Sequence, residues 1–140
     1  MRKLLDGRIF RMSAIVGAVI TFSLFLPGCE KDDLVAIRSL DTIEPEVTAT
    51  TAITGGRVVA NREIELVEYG VCYNTTANPT IEDNIAPGTG LQEFIEGNRY
   101  SAEFQSTISL LTPGTIYYIR AYVTTRSGTA YGNQISFTTN

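Results

Sequence analysis

Neither histidine nor tryptophan occurs in this 140-residue chain, and cysteine occurs twice, at Cys29 and Cys72. The missing imidazole removes the commonest general acid–base, the commonest metal ligand and the usual charge switch near neutral pH. Ser-His-Asp and Cys-His nucleophile systems are excluded with it, as are zinc sites that use histidine. Two thiols cannot build a four-cysteine zinc site, and if Cys29 is committed elsewhere, Cys72 has no partner for an internal disulfide. Stability must then come from packing. Positive charge is also scarce: 11 Lys/Arg face 15 Asp/Glu, for a net charge of −4. Four of those 11 and one of those 15 lie in residues 1–28, so the remainder carries seven bases against fourteen acids, net −7. Such a domain repels phosphate backbones, which argues against nucleic acid as a partner. The same balance argues against binding an anionic membrane through surface charge alone.

What is present begins with a leader. Arg2, Lys3, Arg8 and Arg11 precede an apolar stretch, and residues 12–29 contain no charge. A basic start, an apolar middle and a small residue before a cut make an export signal. An uncleaved signal anchor is the alternative, because eighteen uncharged residues reach the lower limit for a spanning helix. Gly17, Ser23, Pro27 and the abrupt stop at a cysteine speak against it. Under both readings the positive N-terminus stays cytoplasmic and the domain is delivered beyond the inner membrane.

Leu26-Pro27-Gly28-Cys29 resembles the lipobox of bacterial lipoproteins. The resemblance implies a lipid thioether on Cys29, a cut before it and acylation of the new amine. Each buried methylene adds about 0.8 kcal/mol of membrane affinity, so two or three chains hold a protein far more firmly than one. Pro27 is a less usual occupant of its position. Residues 30–33, Glu-Lys-Asp-Asp, form a solvated run. Cys-x-Lys-Asp-Asp also resembles the acidic surface-export signal of lipoproteins from the Bacteroidetes, which implies display on the outer leaflet, with the periplasmic face as the alternative. The expected organisation is a signal peptide at 1–28, a lipid-anchored acidic tether at 29–44 and one domain at 45–140.

Beyond the tether, runs rich in Thr, Val, Ile and Tyr alternate with turn residues, and no segment has a helical period. In 115–125, Tyr117, Ile119, Ala121 and Val123 fall on one face and Tyr118, Arg120, Tyr122 and Thr124 on the other. Period two with a polar outer face predicts a half-buried antiparallel strand. Residues 102–110 place Phe104, Ser106 and Ile108 inward. Residues 64–73 group Val67, Tyr69, Val71 and Tyr73 on one face, with Glu65 joining them only if the strand is unbroken. Residues 50–60 predict a strand interrupted by a bulge at Gly55-Gly56. Residues 132–138 close the series with Ile135 and Phe137 inward. Short strands separated by turns over about 95 residues predict an all-β, antiparallel sandwich of about seven strands.

Leu111-Thr112-Pro113-Gly114-Thr115-Ile116-Tyr117 resembles the LxPGTxY stretch of fibronectin type III domains. YGVCYN (69–74), NPTIEDN (78–84), YYIRAYVTT (117–125) and GTAYGNQISFTT (128–139) are similar to type III-like repeats of Bacteroidetes surface lipoproteins. The resemblance implies an immunoglobulin-like sandwich in which Tyr117 is the corner tyrosine, its hydroxyl bonded back to the main chain. Type III domains usually carry a tryptophan on their second strand. Without one, other side chains must fill that part of the core. The stretch 75–99, rich in Asn, Pro and Gly, is expected to hold one short strand and a loop outside the usual template.

Candidate sites are few. Tyr118 and Tyr122, with Arg120 between them, could stack on sugar rings or anchor a protein, although exposed strand tyrosines more often cover their cross-strand neighbours. Cys72, if exposed, could cross-link two molecules; a lone strand thiol is more often inert packing. Glu82, Asp83 and Asn84 offer three oxygens in a row without the alternation of a calcium loop, so a solvated turn is the expectation. Asp41-Thr42-Ile43 resembles the acceptor for O-glycans in the same bacterial group, which would place a sugar on Thr42. No carboxylate pair sits in a cleft-building segment, and no enzyme activity, cofactor or metal is expected. The sequence therefore predicts an outer-membrane, lipid-anchored recognition domain for an extracellular glycan or protein. A structural spacer or accessory subunit of a larger envelope complex is the rival expectation.

Overall fold

A computed structural model describes residues 33–140 as a four-residue helix and seven antiparallel strands. The lipobox, its Cys29 and the acidic run up to residue 32 lie outside the described residues. The helix is α1 (Asp33–Ala36), and the strands are β1 (Ile37–Val47), β2 (Ala52–Ala60), β3 (Glu68–Asn74), β4 (Asn84–Glu96), β5 (Arg99–Ile108), β6 (Ile116–Thr125) and β7 (Gly128–Thr138).

Hydrogen-bonded order runs β1-β2-β5-β4-β3-β6-β7. One layer is β1-β2-β5-β4 and the other is β4-β3-β6-β7, because β4 serves both. Its lower part, Asn84 to Pro87, pairs with β3, and its upper part, Gly88 to Glu96, pairs with β5. The strand changes layer at Pro87-Gly88. Beyond it, a bulge between Thr89 and Gln92 takes up one extra residue, with Gly90 at φ 64°. A positive φ at a bulge is where glycine costs least. The stretch expected to be a short strand and a loop is thus a loop, 75–83, followed by a thirteen-residue strand.

Alternation governs β5 and β6 as expected. Tyr100, Ala102, Phe104, Ser106 and Ile108 are buried on β5, and Tyr117, Ile119, Ala121 and Val123 on β6. The main core joins these to Ala52, Val71, Ala86 and Leu111. A second cluster at the α1 end holds Ala36, Val58, Ala60, Ile64, Tyr100 and Ala102. Ile64 belongs to the loop before β3, and Val67 is 56% exposed. The strand expected over 64–73 therefore begins only at Glu68.

Phe104 fills the core above Gly56 and Gly88. A Cβ on Gly56 of β2 would stand 2.5 Å from the Phe104 ring and 2.8 Å from the Ala121 Cβ. A Cβ on Gly88 would stand 2.8 Å from the same ring. Phe104 also packs against Tyr69 at a centroid separation of 5.1 Å. Burying such a side chain is worth about 1.5–3 kcal/mol. The expected bulge at Gly55-Gly56 is absent, since β2 pairs with β5 in unbroken register from Ala52 to Ala60. These glycines answer a packing need. The irregularity lies opposite, in β1, between Ile43 and Glu46. That interval contains Pro45, whose missing N–H is tolerated at a bulge.

The fold therefore starts at Asp33. Residues 33–44, expected to be tether, form α1 and most of β1, which pairs with β2 from Ile37 to Val47. Only residues 30–32 lie between Cys29 and Asp33, the first described residue of the fold. Asp33 is fixed there by Arg62, whose guanidinium donates to Oδ1 at 2.8 Å, and by the Glu65 N–H, which donates to Oδ2 at 3.2 Å.

Candidate functional site

Alternation in β2 directs Ala52, Thr54, Val58 and Ala60 inward and Ile53, Gly55, Arg57 and Val59 outward. Gly55 adds no side chain to the outer face. Its cross-strand partners are Ile43 on β1 and Gln105 on β5. A cleft of about 420 Å³ opens over this part of the β1-β2-β5-β4 layer, lined among others by Ile43, Ile53, Glu44, Glu46, Gln92 and Gln105. Ile43 and Ile53 are each 39% exposed, so the floor is aliphatic. The rim is made of carboxylates and primary amides. Glu103, at its border, is held by Arg57 at 3.4 Å. The cleft offers apolar contact and hydrogen-bond acceptors, a surface suited to a hydroxyl-rich or cationic ligand and hostile to an anionic one. No group of three or more potential metal ligands occurs among the described residues.

The tyrosine face expected on β6 is not assembled. Tyr122 is buried, with 2% exposure, and lies opposite Gly70 on β3 and Tyr131 on β7. Burial pushes its hydroxyl above the ordinary tyrosine range, and Glu68 adds to the shift. Gly70 contributes no side chain, and a Cβ there would stand 2.4 Å from the Ala86 carbonyl oxygen of β4. Arg120 is used within the fold. Its guanidinium lies 4.5 Å from the Tyr131 ring centroid, Nε donates to the Gly132 carbonyl at 3.2 Å, and a terminal nitrogen reaches the Pro79 carbonyl at 3.4 Å. Arg120 thereby clamps the β3–β4 loop to β7. Tyr118 alone of the three remains a half-exposed side chain without such commitments.

Thr42 is not a tether residue open to glycosylation. It is buried in β1, and its hydroxyl donates to the Asn133 carbonyl and accepts the Ala121 N–H. Cys72 is buried in β3 with its thiol directed to the Pro79 and Arg120 carbonyls, and burial raises its pKa to about 11. Such a thiol is neither a nucleophile nor a cross-linker. Tyr117 accepts the Thr112 N–H at 2.9 Å and packs on Phe137 at 5.8 Å. Asp83 accepts from Asn74 Nδ2 and the Thr80 N–H, while Asn84 donates to the Tyr73 carbonyl. The oxygens of this turn are thus engaged in holding the loop.

The cleft is not legible in the sequence because one wall, Ile43, Glu44 and Glu46, comes from β1, a segment whose charges and Pro45 disguise its strand character.

No protein-family model matches the chain, and no curated protein matches it.

Proposed function

We propose that the chain is a lipid-anchored cell-envelope protein, displayed at the cell surface, whose type III-like sandwich recognises a neutral or cationic glycan or protein. The observation that carries this reading is the cleft on the β1-β2-β5-β4 layer, where Ile43 and Ile53 provide apolar contact beneath a rim of Glu44, Glu46, Gln92 and Gln105. Hydroxyl groups donate to carboxylates and amides, and sugar C–H faces rest on aliphatic side chains, so both demands of a glycan meet there. Lipid on Cys29 would hold the domain at the membrane, with α1 beginning four residues later at Asp33. The role is recognition rather than catalysis, because the cleft is open and its acids have no partner arranged for proton transfer.

The test has two parts. Intact cells producing the parent or Cys29→Ala are treated with external protease, and the domain is followed by antibody. Digestion of the parent alone supports surface display; protection until the outer membrane is opened moves the protein to the periplasmic face. Intact lipoprotein in detergent is then screened against immobilised glycans and envelope proteins. Ile53→Asp is expected to abolish capture, whereas Tyr118→Ser retains it. A parent that captures nothing leaves the spacer reading in its place.

A further inference from the structure

Strand direction sorts the loops into two ends. α1, the 61–67 loop, the β4–β5 turn at 97–98 and the β6–β7 turn at 126–127 lie at the end where the chain enters. The 48–51, 75–83 and 109–115 loops lie at the other. The two ends differ in where cations occur. The distal loops contain no Lys or Arg, whereas the entry end carries Arg38, Arg62, Arg99 and Arg126 beside the acids Asp33, Glu63, Glu65 and Glu96. Two of these are committed, Arg62 to Asp33 at 2.8 Å and Arg126 to Glu65 at 3.3 Å. Arg38 and Arg99 have no carboxylate within 4.0 Å among the described residues. They line one cleft together with Asn61, Asn98 and Glu96, the cross-strand partner of Arg99, between the β1–β2 edge and the hairpin tip.

That tip is apolar on both sides. Phe94 pairs with Ser101 and Ile95 with Tyr100, so the two side chains leave the hairpin on opposite faces, yet they are 59% and 55% exposed. Val35 in α1, at the same end, is 76% exposed. β3 pairs with β4 only as far as Pro87, so this part of β4 has β5 alone as a ladder neighbour. Nothing in the fold covers it. Exposed apolar side chains alone would not identify the occupant, because Leu110 at the distal end is 95% exposed. The distance to the anchor does. Residues 29–32 span no more than about 14 Å even when fully extended.

We infer that the Phe94-Ile95 hairpin tip, flanked by Arg38 and Arg99, is a second contact with the membrane, entering the interfacial layer of a phospholipid bilayer while the two guanidinium groups meet headgroup phosphates. The inference rests on the lipidation of Cys29. An aromatic ring and a branched aliphatic chain suit the depth of the headgroups, and arginine extends its charge outward while its stem stays in the apolar layer. The acidic net charge does not forbid it, since the contact uses an apolar wedge and two local cations. The consequence is orientation: the distal loops and the cleft on the β1-β2-β5-β4 layer are turned away from the lipid.

The experiment uses the intact lipoprotein, extracted from cells and reconstituted into vesicles of phosphatidylethanolamine and phosphatidylglycerol. An environment-sensitive fluorophore is attached to Phe94→Cys, to Ile95→Cys or to Leu110→Cys; Cys72 is buried and escapes labelling. Blue-shifted emission at 94 and 95, quenched by lipids bearing a nitroxide, with water-like emission at 110, is the expected result. Replacing Arg38 and Arg99 by Glu should red-shift the 94 signal. Protein that floats with vesicles but gives water-like emission at 94 overturns the tip contact and leaves the anchor standing. Protein that does not float overturns both. A blue shift already present in detergent without vesicles, rising with protein concentration, assigns the tip to a second copy of the chain and overturns the inference.

Discussion

The hydroxyl of Thr42 and the backbone nitrogen of Ala121 lie 2.8 Å apart, joining positions 79 residues apart in the chain. The bond has a local cause. β6 and β7 slip register between Arg120 and Tyr122, which leaves Ala121 without a β7 partner. The extra β7 residues are Gly132 and Asn133, and Thr42 bonds to Asn133 twice, its hydroxyl donating to the carbonyl and its N–H to Oδ1. One threonine thus closes the seam between the two outermost strands. Thr42→Val keeps the shape but strands the Ala121 N–H, and should cost about 2–3 kcal/mol in urea unfolding. Mass spectrometry of the intact protein should find no sugar on Thr42.

Tyr117→Phe removes the acceptor of the Thr112 N–H while preserving the ring contact with Phe137. A loss of about 0.5–1.5 kcal/mol is expected from one buried hydrogen bond. Urea midpoints equal to those of the parent would mean that the hydroxyl is dispensable to the turn before β6.

Gly56→Ala drives a methyl group into the Phe104 ring and the Ala121 Cβ. Overpacking of this kind costs about 1–3 kcal/mol. Combining it with Phe104→Leu, which vacates the ring, should cost less than the sum of the two single changes. A double-mutant cycle measures that coupling, and strict additivity would refute the claim that Phe104 occupies the space above Gly56.

Alkaline pH should destabilise the fold earlier than its acids and bases alone would suggest. Burial raises Cys72 from 9.0 to about 11 and moves Tyr100, bonded to Glu93, in the same direction. In both groups the native state favours the protonated form. Their contribution is fully present below the unfolded-state value and declines as pH rises through 9 towards 11. Cys72→Ala should flatten the decline between pH 9 and 11 in thermal unfolding, whatever its effect at pH 7. An unchanged slope would show that Cys72 does not titrate with unfolding.

Where the chain alternates without interruption, sequence and structure agree residue by residue, as in β5; β6 agrees except at Tyr122, expected on the outer face and buried. Agreement fails where a bulge breaks the period. β1 contains two irregularities, near Arg38 and near Glu44-Pro45, so its inward positions are out of step and its charges look like those of a tether. β4 carries Pro87, Gly88 and Gly90 because it changes layer and bulges there, and the same residues read as loop. Parity puts Tyr122 on the outer face, yet it is buried. What parity cannot reveal is its pairing with Gly70, a residue 52 positions away in the chain. The cleft was hidden for the same reason, since its two sides meet only once β1 is recognised as a strand.

The layer change in β4 bears on how the protein can come apart. In a sandwich of two independent sheets, one layer can peel away while the other persists. Here Asn84–Glu96 is covalently continuous through both ladders, so separating the layers tears bonds to β3 and to β5 together. Partial opening has no cheap route along this seam, and the amides of Ala86 and its neighbours should exchange with solvent only when the whole domain does. Without a half-open form, a protease finds no loosened strand to cut until the whole domain unfolds.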